Sequence, residues 1–235
     1  MKRQSFRFKI LGIGTDAKTS KGVQKNVLTG VLYLAPARES GVMNTCPNSS
    51  AGCRAACLFT AGMGKFKNVK KARINKTIWF AKNRENFLKT LQLEIKILEV
   101  MAAAEGMAPA VRLNGTSDIH WERYGMIQDN PNVQFYDYTK NLTRALNNKI
   151  KNYHLTFSKC ESNHEETEKA IKAKKNVAIV FHTHKNSALP KSFMGVKVVD
   201  GDIDDTRFLD GKGVIVGLRA KGRAKYDTSG FVVQV

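Results

Sequence analysis

The stretch Val27-Leu-Thr-Gly-Val-Leu-Tyr-Leu-Ala35 is a near-continuous apolar run. It reads as a strand covered on both faces, since a half-wetted strand would alternate apolar and polar residues. Shortly after it comes Cys46-Pro-Asn-Ser-Ser-Ala-Gly-Cys53-Arg-Ala-Ala-Cys57, which gathers three of the four cysteines at the spacing Cys-x6-Cys-x3-Cys. A buried strand leading into a thiol-rich loop sets the frame for everything around it.

Upstream, residues 6–15 alternate apolar with basic or polar residues, as an edge strand does, and Gly12, Gly14 and 15–21 suggest a turn. Downstream of Gly64 the pattern turns helical. Asn83 offers an N-cap, and Phe87, Leu88, Leu91, Ile95, Leu98 and Ala102 recur along one helix face until Gly106 and Pro109. Short apolar strands then alternate with helical stretches. Strands are expected over 110–116, 133–139, 153–158, 177–181, 196–200 and 214–218. Helices are expected over 119–129, over 141–147, and from a capping box at Asn163-His-Glu-Glu166 to about Lys174. The closing run 231–235 is expected to pair back antiparallel.

That alternation predicts βα units joined by right-handed crossovers. The expected fold is therefore α/β, a partial (βα) barrel with a mostly parallel sheet and antiparallel edge strands at the termini. No sharp composition shift divides the chain, so 1–235 reads as one domain carrying a cysteine-rich metal loop at 43–64. The apolar and charged fractions, 42% and 25%, are those of a globular protein. No run reaches the roughly 20 apolar residues of a membrane span, and no signal-peptide pattern opens the sequence. A cytoplasmic location is expected, where clustered thiols point to metal or redox chemistry rather than disulfides.

In parallel α/β folds ligands bind at the carboxyl ends of the strands. Polar residues fall where the apolar strands end, and Asn114, Ser117, Asp118, Lys140, Ser158 and His182 are the candidates for substrate binding. Several of these, Ser117 and Asp118 among them, are equally suited to capping helices or forming turns. Asp200-Gly-Asp-Ile-Asp-Asp205 lacks the spaced ligands of a calcium loop and is expected to be solvated or paired with Arg207. His182 and His184 would share one face of an extended chain, as packed or rim histidines more readily than as a metal pair.

Cys46, Cys53 and Cys57 are the candidate metal ligands. Small hydrophobic thiols are one reading, and close grouping weighs against it. Zinc would need a fourth ligand, from Cys160 or a histidine. A [4Fe–4S] cluster on three thiols leaves one iron open, which suits the trio best; Cys160 could still be a fourth ligand.

The formal net charge is +19, from 39 basic and 20 acidic residues. The basic residues clump at Lys65, Lys67, Lys70, Lys71, Arg73 and Lys76, and again at Arg219, Lys221, Arg223 and Lys225. A polyanion partner follows from that clumping, and a nucleic-acid-binding role is the alternative to the cluster reading.

A cysteine loop after an early strand of a partial barrel resembles the radical SAM enzymes. There three cysteines in Cys-x3-Cys-x2-Cys bind a [4Fe–4S] cluster, and the open iron binds S-adenosylmethionine. Here the spacing is wider, and Asn114-Gly-Thr-Ser-Asp118 stands where that family has Gly-Gly-Glu. More of the chain is similar to the phage gene product 88 family. The matching stretches are Tyr33-Leu-Ala-Pro36, 46–62, Arg112-Leu-Asn-Gly-Thr-Ser-Asp118, His154-Leu-Thr-Phe-Ser158, Asp200-Gly-Asp, and Asp204-Asp-Thr-Arg-Phe-Leu-Asp210. That resemblance implies a virus-encoded protein. Relatives often carry a rolling-circle replication label. Such a nuclease needs two histidines around a bulky apolar residue, and His182-Thr-His184 has threonine there.

Overall fold

The computed structural model describes residues 9–14 and 19–235. The strands are β1 (Leu11–Ile13), β2 (Val27–Leu32), β3 (Ala108–Arg112), β4 (Gln134–Thr139), β5 (Tyr153–Ser158), β6 (Val177–Phe181), β7 (Ser192–Phe193), β8 (Val196–Asp200), β9 (Ile215–Arg219) and β10 (Val232–Val233). The α-helices are α1 (Ala51–Ala55), α2 (Lys67–Lys82), α3 (Arg84–Ala104), α4 (Leu142–Asn147) and α5 (His164–Lys172). The rest of the expected 6–15 strand lies outside the described residues.

The strands form one sheet in the order β1-β2-β3-β4-β5-β6-β9-β8-β7, with β10 also on β6. From β2 to β6 and on through β9 and β8 every pairing is parallel. Among the described residues antiparallel pairs occur only at the edges, β1 on β2 and β7 on β8. The fold is thus mixed α/β with a mostly parallel sheet, and the sheet stays open. Parallel pairing puts the carboxyl ends of β2 to β6 and β9 along one rim.

β2 is buried throughout, as its near-continuous apolar run requires. Alternate side chains serve opposite faces. On one face Leu28, Leu32, Val111 and Phe135 pack with Phe87, Leu91, Ile95, Leu98 and Ala102 of α3. Those five α3 residues are fully buried, each contributing about 1.5–3 kcal/mol except the smaller Ala102. Asn83 caps α3, its side chain accepting from the Asn86 N–H at 3.3 Å. Glu94, in the middle of that helix and fully buried, holds β1 by accepting N–H bonds from Lys9, Ile10 and Leu11.

The opposite face is filled by 204–210. Phe208 packs on Val27, Ala110 and Tyr136. Asp205 pairs with Arg112 at 2.9 Å and accepts from the Tyr136 hydroxyl at 3.1 Å. Arg207 pairs with Asp204 and Asp210, as the sequence suggested for this acidic stretch. Asp200 and Asp202 instead bind Arg219, and Asp202 also binds Lys221.

Three local expectations are corrected. Residues 119–129 form a 3-10 turn (Trp121–Tyr124) and further turns rather than an α-helix. The Asn114 side chain fixes the Ile119 N–H and the Trp121 indole, and Gly125 at φ +74° breaks the winding. Asn163 does not close a capping box. Its amide turns back to the Cys160 N–H (2.7 Å) and the Ser158 carbonyl (3.0 Å). The final run pairs parallel with β6, not antiparallel. β5 meets β6 only at Val177 and Ala178, and β10 takes the same edge further up, at Val180 and Phe181.

Candidate functional site

The loop bearing the cysteines is a strap across the rim. At one end the Thr45 hydroxyl donates to the Ala35 carbonyl (2.6 Å), and the Thr45 carbonyl accepts from the Asp118 N–H (2.8 Å). In the middle Glu161, just past β5, accepts from the Ser50 hydroxyl and the Gly52 N–H, both at 2.7 Å. At the far end Ala56 packs with Ala220, Ala224 and Val232. The strap therefore reaches from the ends of β2 and β3, past β5, to β9 and β10. Gly52 is required there: a Cβ would come within 2.9 Å of the Glu161 carboxylate.

All three thiols are half-buried on this strap. The Cys46 thiol points to the Thr116 carbonyl at 3.6 Å, just beyond β3. Cys53 lies in α1, which Ser50 caps by accepting from the Cys53 N–H at 3.1 Å. Cys57 caps the next 3-10 turn, its sulfur accepting from the Phe59 N–H at 3.5 Å.

Burial pushes the Cys57 thiol up to about 11, against the pull of the Phe59 N–H and the Arg73 charge. Burial also raises Cys46. Cys160 is buried beside the Ser162 hydroxyl. Three soft donors on one strap are the right kind for an iron–sulfur cluster with one open iron. Among the described residues, no group of three or more Cys, His, Asp and Glu side chains stands arranged to hold a metal ion. Ligation would require the thiols to turn toward each other.

Asn114, Ser117 and Asp118 are brought to the rim but are buried and committed to one another. The Asn114 carbonyl oxygen accepts from Ser117 (2.8 Å), the Ile119 N–H (2.9 Å) and Trp121 (3.2 Å). Asp118 accepts from Thr139, the Lys140 N–H and Arg144, whose guanidinium also grips Glu122. These residues position the strap's anchor, since Thr116 and Asp118 both bind it. Lys140 and Ser158 remain half-exposed, joined Nζ to Oγ at 2.9 Å, with the Phe231 ring 5.6 Å from the ammonium. His182 is exposed and bonded to Gln234 at 2.7 Å.

The basic groups divide. Arg73 is buried against the Tyr33 ring, 4.5 Å from its centre. Lys76 donates to the Ile10 carbonyl, and burial lowers it to about 8. Both leave the surface cluster, as do the ion-paired Arg219 and Lys221. The sequence did not single out Glu161. Glu161 is one acid among many, and only tertiary contact gives it its role.

A family model described as Gene product 88 matches residues 10–235. No curated protein and no solved structure matches the chain. Among the described residues no helix is long and apolar enough to cross a membrane.

Proposed function

The chain belongs to the Gene product 88 family, and we propose that it is a cytoplasmic iron–sulfur protein of the infected host cell. In this reading Cys46, Cys53 and Cys57 hold a [4Fe–4S] cluster at the rim and leave one iron open to a small ligand. The observation that carries it is the grouping of three half-buried cysteines on one strap tied to the strand ends. When bound, such a cluster supplies one-electron chemistry and an open coordination position.

The chain's own residues do the rest. Glu161 holds the strap down through Ser50 and Gly52. Asn114 and Asp118 fix the segment that carries the Thr116 carbonyl beside Cys46. Lys140 and Ser158 present an ammonium and a hydroxyl, a pair suited to a carboxylate or phosphate on the ligand. S-adenosylmethionine, which carries a carboxylate, is one such ligand, and a redox or sensing role needs none.

Anaerobic purification with iron and sulfide analysis tests the reading, repeated on Cys53→Ala. About four irons and four sulfides per chain are expected for the wild type and a large loss in the variant. A colourless protein carrying stoichiometric zinc overturns it. Cleavage of S-adenosylmethionine on reduction would place the site in radical chemistry, and a cluster indifferent to it would favour sensing.

A further inference from the structure

Between Ser40 and Arg84 the sequence holds nine basic residues and no Asp or Glu. Between Gly211 and Tyr226 it holds five more, again with no acid. The fold brings these two segments together. Residues 58–60 pack against the 3-10 turn Gly222–Tyr226, and a Cβ on Gly222 would lie 2.8 Å from that of Ala61. The turn at 62–65 and the start of α2 continue the same surface.

The charges left on this surface are Lys65, Lys67, Lys70, Lys71, Arg223 and Lys225; five are exposed and Lys70 is half-buried. None of the six is in a salt bridge among the described residues, whereas Arg219 and Lys221 are neutralised by Asp200 and Asp202. Apolar and aromatic groups stand among them: Leu58 is 53%, Met63 62%, Phe66 47% and Tyr226 84% exposed. The Lys65 ammonium lies 5.5 Å from the centre of the Phe66 ring. Uncompensated cations alone would suit any polyanion. Exposed rings set among them suit unpaired bases, which stack on aromatic faces while the backbone meets the lysines.

We propose that the surface formed by 58–71 and 222–226 binds single-stranded nucleic acid, with Phe66 and Tyr226 as stacking platforms. The charge complementarity is that of a phosphate backbone, and a duplex would bury its bases away from the rings. The surface sits beside the strap, but its binding does not depend on iron at the cysteines.

Fluorescence anisotropy with labelled 20-nucleotide oligo(dT) and oligo(U), a duplex of the same length and unlabelled polyglutamate as competitor tests this. Binding should weaken steeply with salt, by a log–log slope of about −0.7 for each phosphate contacted. The Lys67→Gln/Lys71→Gln variant should flatten that slope by about 1.4 units. Tyr226→Ala and Phe66→Ala should each weaken binding about tenfold at constant salt. Both variants replace exposed side chains, and melting curves check that they fold. Preference for oligo(dT) or oligo(U) tells DNA from RNA and supports the proposal either way. Persistence in Cys53→Ala separates it from the cluster reading. Equal affinity for the duplex, effective competition by polyglutamate, or indifference to both ring variants overturns it.

Discussion

Asp137 accepts the backbone N–H of Asn114 at 2.7 Å and its side-chain amide at 3.1 Å, one strand over. The same carboxylate takes the Tyr153 hydroxyl at 2.9 Å, and it is buried. Asn114 is in turn the hub of the turn that places Thr116 next to Cys46. Removing the acceptor strands three buried donors, each costing roughly 1–3 kcal/mol. Asp137→Ala should lower unfolding free energy by about 3 kcal/mol or more in urea titration. A loss under about 1 kcal/mol would mean that the Asn114 turn holds itself together.

Glu161→Ala addresses the strap without touching a thiol. It removes two hydrogen bonds to a carboxylate at the half-buried end of β5. The global cost should be modest, about 1–3 kcal/mol, because the strand ends remain paired. Iron content after anaerobic reconstitution should fall more sharply than stability does. Unchanged iron occupancy would show that the strap is seated by its apolar end alone.

On the cluster reading, protonation of the thiols sets a pH dependence for metal loading. Cys57 is raised to about 11 and Cys46 is raised as well, both chiefly by burial. Each ligand must lose its proton to bind, so apparent affinity should climb up to about tenfold per pH unit for each proton released. Competition with a zinc-sensitive dye between pH 7 and 8.5 reads the slope. Cys57→Ser should flatten it. Alkylation of Cys57 by iodoacetamide, followed by peptide mass spectrometry, should be slow at pH 7 and quicken with pH. Rapid alkylation at pH 7 would contradict the half-buried, protonated thiol.

Half-buried His154 and buried Asp137 give opposite pH dependences to stability. His154 falls from 6.5 to about 4, chiefly through burial with Arg207 and Lys175 nearby. Unfolded chains then bind more protons between those values, so stability rises with pH from about 4 to 6.5. Asp137 rises from 3.8 to about 7 through burial, so its contribution is full below 3.8 and is lost as pH climbs to 7. In the wild type the two partly cancel. His154→Gln should leave stability falling across pH 4–6.5, and Asp137→Asn should leave it rising. Chemical denaturation at four pH values reads both signs; parallel curves for the three proteins would refute the assignment.

Much of the frame was legible. β5 runs from Tyr153 to Ser158 as its apolar pattern implies, and α3 begins at the Asn83 cap. Local pattern decides such elements because period and cap lie within the element itself. What escaped was set from a distance. The 119–129 segment carries helical spacing, yet Asn114 bends it into turns from outside. The two-residue β7 is too short to carry a period, and its turn rests on positive φ at Met194 and Gly195. The cysteine grouping was plain from spacing, but the loop's anchor at Glu161 lies 109 residues from Gly52. Of the lysine clump, Arg73 and Lys76 turned inward, which net charge cannot foretell.

From β1 to β6 each strand lies beside its predecessor in sequence, so that half of the sheet can assemble by short-range steps. β10 breaks the pattern, docking on β6 some fifty residues after it and clamping Ala56 through Val232. The thiol-bearing segment thus gains its final apolar contact only once β10 has docked, which makes seating of the far end of the strap a late event in folding.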